Sequence, residues 1–205
     1  MAGASEFRKV CLTVATVFTN HETQLVTQAQ NGDRNAFSEL VRIHAQGVLN
    51  VIHRMCGDMQ IAEDAAQETF IQAWLNLSSY HPQTSLRNWL YRIAVNAATD
   101  MLRKEKRILP DNIEDLHLTD GRPSLESLVS QQERANLVQK AILSLPDASR
   151  AVLVLREYEG LSYQEISSTL DIPVGTVMSR LNYARTLLKA KLEPQLSLQL
   201  EVEHV

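Results

Sequence analysis

The residues whose types could do chemistry gather first at Thr176, Ser179, Arg180, Asn182, Tyr183 and Arg185, within about three helical turns. The chain has no glycine-rich phosphate loop, nucleophile elbow or metal-ligand spacing, so the chemistry on offer is recognition and not bond-making. Four of the six are compact groups that hydrogen-bond at close range. The two arginines reach further, to phosphate or to guanine.

The elements that must hold them can be read on either side. Ser162 with Glu165 three residues on is a capping box, which predicts a helix from about Tyr163 with Ile166 and Leu170 on one face. Asp171-Ile172-Pro173 breaks that helix, because Pro173 lacks an amide hydrogen and suits only the start of a new one. Val177, Leu181, Ala184 and Leu188 then repeat at helical spacing, which turns the polar residues away from the core. Two short helices across a tight turn make a helix-turn-helix, whose second helix enters the DNA major groove. A plain antiparallel helix pair with a solvated polar face would show the same pattern, and the residues alone leave both readings open.

A second constellation lies upstream. The loop Ser78 to Ser85 and the helix after it carry Tyr80, His81, Trp89 and Tyr91 beside Arg87, Arg92, Arg103, Lys104, Lys106 and Arg107. Aromatic faces next to cations are what unpaired bases need, through stacking and phosphate neutralisation. Trp89 is expected in the core, and the loop and basic face are the candidates for nucleic acid. A third group, Glu63, Asp64, Gln67, Glu68 and Gln72, makes a carboxylate and amide face on the preceding helix. Acids near a helix start favour the macrodipole, and the remainder of the face suits a basic partner.

At 205 residues the chain has room for one large domain or two small ones. Seven glycines and six prolines punctuate it sparsely, which favours long helices. Its net charge of −4 argues against a protein that grips duplex DNA alone, and points to a larger partner that supplies the attraction. Cys11 and Cys56 form no CxxC or zinc pattern and suit a reducing cytoplasm. His44 and His53 read as surface or half-buried residues, with no metal site expected. The apolar run Val10 to Phe18 is too short to span a bilayer, and residues 1–22 are expected to be a disordered extension.

In order, Asn31-Gly32-Asp33 predicts a turn and cap before a helix through Phe37, Leu40, Val48 and Ile52 that closes near Gly57. Asp58 caps a second helix through Ile61, Ala65, Phe70, Ile71, Trp74 and Leu75. Thr84 or Ser85 caps a long third helix, Leu86 to Arg107, through Leu90, Ile93, Ala94, Ala97 and Leu102. Residues 108–123 lose all periodicity and read as a linker. Ser124 caps a helix through Leu137 and Leu143, Pro146 starts another, and the helix-turn-helix completes a four-helix unit that Pro194 ends. The expected fold is all-α: two small helical domains, 23–107 and 124–193, with 194–205 as a tail.

Three stretches together resemble bacterial RNA polymerase sigma factors of the extracytoplasmic-function (ECF) group. They are Asp64-Ala-Ala-Gln-Glu-Thr-Phe-Ile-Gln-Ala-Trp74; Trp89-Leu-Tyr-Arg-Ile-Ala-Val-Asn96 with Asp100; and Leu145-Pro146, Tyr163-Gln-Glu-Ile166 and Ile172-Pro-Val-Gly-Thr-Val177 with Ser179-Arg180-Leu181. The resemblance runs from about Gln24 to Leu192 in the family's order and spacing. It implies that 23–107 is sigma region 2 and 124–193 sigma region 4. Asp64, Gln67, Glu68, Ile71 and Trp74 would then meet the β′ coiled coil of core polymerase, with further contacts to the β subunit. The loop Ser79 to Ser85 would capture a flipped base of the melted −10 element, with Tyr80, His81, Arg87, Asn96, Arg103 and Lys104 on that DNA. Met178, Ser179, Asn182 and Tyr183 would read the −35 element, with Thr176, Arg180 and Arg185 on its backbone. Positions 178 and 183 are commonly basic in the family and are Met and Tyr here, which implies more reliance on shape. The resemblance also implies an anti-sigma partner, no cofactor, no small-molecule substrate, no enzymatic activity, a cytoplasmic location and a free monomer. The competing readings are a stand-alone helix-turn-helix regulator, dimeric on a palindrome, and an enzyme that uses Glu63, Asp64 and Glu68.

Overall fold

The computed structural model describes residues 21–81, 85–108 and 126–202, with 105–108, 126–133 and 195–202 described by their backbone alone. A helix over residues 21–30 (α1) comes first. It is followed by α2 (Arg34–Cys56), α3 (Met59–Asn76), a 3-10 turn (Leu77–Ser79), α4 (Leu86–Ile108), α5 (Glu126–Leu143), α6 (Asp147–Glu157), α7 (Tyr163–Leu170) and α8 (Val174–Val202). No strand occurs among the described residues, as the sequence leads one to expect.

The helix ends are where the sequence placed its punctuation. The Asp33 carboxylate accepts the amides of Asn35 and Ala36, and Asp58 accepts that of Ile61. Between them Gly57, at φ 80°, closes α2 by donating to the His53 carbonyl at 2.7 Å. Gly57 carries a second constraint: a β-carbon there would run into the Leu143 side chain of α5.

The first unit is α2, α3 and α4 packed together, with α1 laid over them through Leu25, Val26 and Ala29. α2 buries Leu40, Val48, Val51, Ile52 and Met55, and α4 buries Leu86, Leu90, Tyr91, Ala94 and Ala98. From α3 come mainly small groups, Ala62, Ala65, Thr69 and Ala73, one every three or four residues. In the second unit α6 is the central piece, with Val152, Val154 and Leu155 completely buried against Leu161, Ile166, Val177 and Leu181. The Ser162–Glu165 capping box is present in both directions. Asp171 takes the left-handed conformation that ends α7, at φ 54°.

The two units share one seam. Arg150 of α6, 5% exposed, donates to the Met55 carbonyl of α2 at 2.6 Å, to the Leu145 carbonyl at 2.8 Å and to the Leu143 carbonyl. Arg54 donates to Gln139 at 3.0 Å and lies 4.3 Å above the Tyr158 ring. Tyr91 of α4 donates its hydroxyl to Glu159, and Arg92 pairs with Asp171 at 3.5 Å.

Four expectations are corrected. The extension assigned to 1–22 stops short, because His21 and Glu22 already belong to α1; residues 1–20 lie outside the described residues. The stretch from Ser78 is not all loop, since Leu77–Ser79 forms a 3-10 turn. Pro194 does not end the last helix: α8 continues to Val202 with the proline inside it and solvent-exposed. Only the one amide and the ring's clash with the turn before are at stake, and an exposed carbonyl freed there can turn to water. The linker assigned to 108–123 starts one residue later, because Ile108 is the last residue of α4; the rest of that linker and the Ser124 cap lie outside the described residues.

Candidate functional site

Three surfaces stand out when the side chains are followed outward from these helices. On α8, Val177, Leu181 and Ala184 are buried, and this rotates the opposite side into solvent. Met178 and Tyr183 are 54% and 51% exposed, large for apolar or aromatic groups with no protein neighbour to meet. Ser179, Asn182 and Arg185 are exposed beside them, and Thr176 and Arg180 are half-buried. The Ser179 hydroxyl donates to the Thr176 carbonyl at 3.1 Å, which leaves its lone pairs outward. Arg185 is held by Glu157 of α6 at 2.7 Å, a hydrogen bond that raises its already high pKa and fixes its direction. Met178, Ser179, Asn182 and Tyr183 therefore face away from the buried stripe, with Thr176 and Arg180 on one flank of that face and Arg185 on the other.

The second set divides. His81, after the 3-10 turn, is exposed, and so is Arg87 in the first turn of α4, its guanidinium 5.8 Å from the Tyr91 ring centre. Glu22 and Glu165 both feel the Arg87 charge. Tyr80 is not available as a stacking platform: it is 7% exposed and packs on Trp89 at 5.2 Å between ring centres. Its phenol is pushed above the ordinary tyrosine range by that burial and by Glu22. Nine residues separate Arg87 from Asn96, roughly 14 Å along the axis and half a turn around it, so they face opposite ways. Asn96 instead lines a groove between α3 and α4 with Glu68, Gln72, Asn76, Asp100 and Lys104. Arg103 is exposed and pairs with Asp100 at 3.6 Å.

The third surface is the outer side of α3. Asp64, Gln67 and Glu68 are exposed, Ile71 is 54% exposed, and Trp74 is half-buried on Phe37 at 4.9 Å. Leu75, which the apolar pattern assigned to the core side, is 66% exposed. The signal that separates the two sides was in the sequence. Residues 62, 65, 69 and 73 make one stripe of small groups, and residues 64, 68, 71 and 75 make the opposite one. The small stripe lets α3 approach its neighbours closely, which leaves the large apolar groups of the other stripe in water.

Sequence reasoning also missed Gln30, Asn88, Arg150 and Glu157. Asn88, 4% exposed, lies within hydrogen-bonding reach of Glu165, whose pKa is lowered mainly by Ser162 of the capping box and in part by Asn88. None carries a motif, and each acts on a group distant in sequence. Among the described residues there is no group of three metal-ligating side chains, and no helix is long and apolar enough to cross a membrane.

Comparison with known proteins agrees with this layout. The family model for Sigma-70 region 2 matches residues 40–108, and that for Sigma-70, region 4 matches residues 135–188. The chain is 39% identical over 185 residues to the RNA polymerase sigma-H factor of Pseudomonas aeruginosa, covering 85% of this chain and 95% of that protein. It is 36% identical over 179 residues to the ECF RNA polymerase sigma factor SigW of Bacillus subtilis, covering 82% and 94%. Among solved structures it resembles CnrH in complex with the cytosolic domain of CnrY, with a TM-score of 0.64 and 26% identity over 85% of this chain and 98% of that one.

Proposed function

This chain belongs to the sigma-70 family, in its ECF group, and from that premise we propose how its three surfaces divide the work of promoter-directed initiation. The stripe on α8 reads the −35 duplex, through Met178, Ser179, Asn182 and Tyr183 at base edges and Thr176, Arg180 and Arg185 at the backbone. The loop at His81 with Arg87, and the groove at Asn96 with Arg103 and Lys104, meet the −10 DNA on two sides of α4. The outer stripe of α3, Asp64, Gln67, Glu68, Ile71 and Leu75 with the edge of Trp74, docks on core RNA polymerase. The working units are region 2 up to Arg107 and region 4 over 124–193, with α1 belonging to the first.

The observation that carries this reading is the exposed polar stripe at the start of α8, presented by a helix pair whose turn is locked at Asp171. A net charge of −4 assigns the nonspecific grip on DNA to polymerase and not to this chain. The protein does its work by binding, in the cytoplasm beside polymerase, and is not an enzyme. A protein antagonist of the anti-sigma kind fits the same surfaces, and the similar CnrH was solved with a partner protein bound.

The test is transcription by bacterial core polymerase from a library of random-sequence promoter fragments, with and without this chain. Starts confined to a defined subset, and only when the chain is present, are the expected result. Tight duplex binding by the chain alone with no new transcript would make it a stand-alone regulator.

Met178→Arg or Tyr183→Arg is expected to raise affinity for a selected −35 duplex and to steepen its salt dependence by about one unit of logarithmic slope, one phosphate gained. Titration at several salt concentrations reads both quantities. An unchanged slope would place positions 178 and 183 away from the phosphates.

A further inference from the structure

We propose that Gly175 and Met178 form a thymine-reading notch on the outward face of α8: the glycine leaves room for a base edge to come close, and the methionine recognises the thymine C5-methyl group. Among the described residues, Gly175 is the glycine that the fold does not require. Gly32, Gly57 and Gly160 sit at positive φ, and at Gly47 a β-carbon would fall 2.7 Å from the Tyr91 hydroxyl. Gly175 lies in α8 without a positive φ and is exposed, and a β-carbon there would meet nothing within 4 Å. Glycine in a helix is less stable than alanine, so the fold alone would favour a side chain at this position. A bare position of this kind admits the close approach of something outside the chain.

What comes close is set by the neighbours of Gly175. Val177, Leu181 and Ala184 fix the buried side of α8, and Gly175 falls nearly opposite to it around the helix. Met178, three residues on, borders the bare position, because helix side chains lean toward the N-terminus. It is 54% exposed, and its thioether is apolar and flexible enough to mould to a small group. Ser179, four residues on from Gly175, borders the other side, with its hydroxyl hydrogen already spent on the Thr176 carbonyl. The notch therefore has one apolar wall and one hydrogen-bond acceptor. In the major groove thymine is the base that presents an apolar group, its C5-methyl, and apolar side chains read it by contact.

This inference rests on reading α8 as the −35 contact, and the experiment separates the two. The full chain, Gly175→Ala, Met178→Ala and the double variant Ser179→Ala/Asn182→Ala are each assembled with bacterial core polymerase. Affinity is measured for a promoter fragment selected by the wild-type holoenzyme. Each thymine of its −35 element, on either strand, is then replaced singly by deoxyuridine, which lacks only the methyl group. One such replacement is expected to lower wild-type affinity about fourfold, the effect of burying one methyl group, and to make no difference to Met178→Ala. Gly175→Ala is expected to bind about tenfold more weakly, as when one base-edge contact is lost, while its melting temperature rises by about 1 to 4 °C. A glycine that the fold requires would give a lower melting temperature instead, and that result would overturn the inference. So would wild-type binding by Gly175→Ala, an equal uracil penalty in Met178→Ala, or a −35 element without thymine; loss of binding in the double variant would then leave the −35 reading standing. Full binding by the double variant as well would overturn both.

Discussion

Replacing Ile71 and Leu75 together with aspartate is expected to weaken binding to core polymerase by about a hundredfold or more, with little change in the chain's own stability. Both side chains stand mostly in water, at 54% and 66% exposure, so the isolated fold gains almost nothing from them. In a docked interface each buried aliphatic side chain contributes roughly 1.5 to 3 kcal/mol, and a carboxylate in its place adds a desolvation cost. Asp64 and Glu68 lie on the same stripe, so the new charges also add to an existing acidic patch. Competition against a labelled wild-type chain for core polymerase reads the loss, and far-ultraviolet circular dichroism checks the fold. Undiminished competition would mean that polymerase docks elsewhere.

The largest effect on the fold is expected at Arg150. Arg150→Leu removes the donor to the Met55, Leu143 and Leu145 carbonyls, which end α2 and α5 and lead into α6. A buried carbonyl left without a partner costs about 1 to 3 kcal/mol, offset in part by relief of the guanidinium's own desolvation. That desolvation is strong enough to lower the Arg150 pKa, against the opposing pull of Asp147. A net loss of roughly 3 kcal/mol, or about 6 to 12 °C in melting temperature for a chain of this size, is the expected outcome. Arg150→Lys should recover little of it, because an ammonium cannot span acceptors that a planar fork reaches at once. Differential scanning fluorimetry of both variants decides the point. A melting temperature within a degree of wild type would show that water serves these carbonyls equally well.

Much of the fold was legible because it is written locally. Asp33, Gly57, Asp58 and the Ser162–Glu165 box each announce a helix end through chemistry that involves only the next three or four residues. The helix-turn-helix was legible for the same reason, and so was the outward set on α8, once Val177, Leu181 and Ala184 had fixed the inward side. What was not legible depends on distant partners. Tyr80 carries an aromatic face suited to bases, yet its ring is spent on Trp89; nothing local says so. Leu75 looks like core until the small residues of α3 are seen to form the opposite stripe. Arg87 and Asn96 belong to one resemblance but to two sides of one helix. Gln30 and Arg150 act on backbone carbonyls, which every residue has, so no motif could have nominated them.

Gly57 joins two demands that usually fall on different positions: a left-handed backbone to close α2, and empty space for Leu143 of the other unit. An asparagine could meet the first demand, and at the second its β-carbon would push against the Leu143 side chain, which would have to shift. A change at position 57 must therefore satisfy both the left-handed backbone and the place of a side chain about ninety residues away. For a lineage that keeps the two units packed this way, position 57 answers to two constraints at once. Drift in descendants of this chain is expected to flow around that corner and not through it.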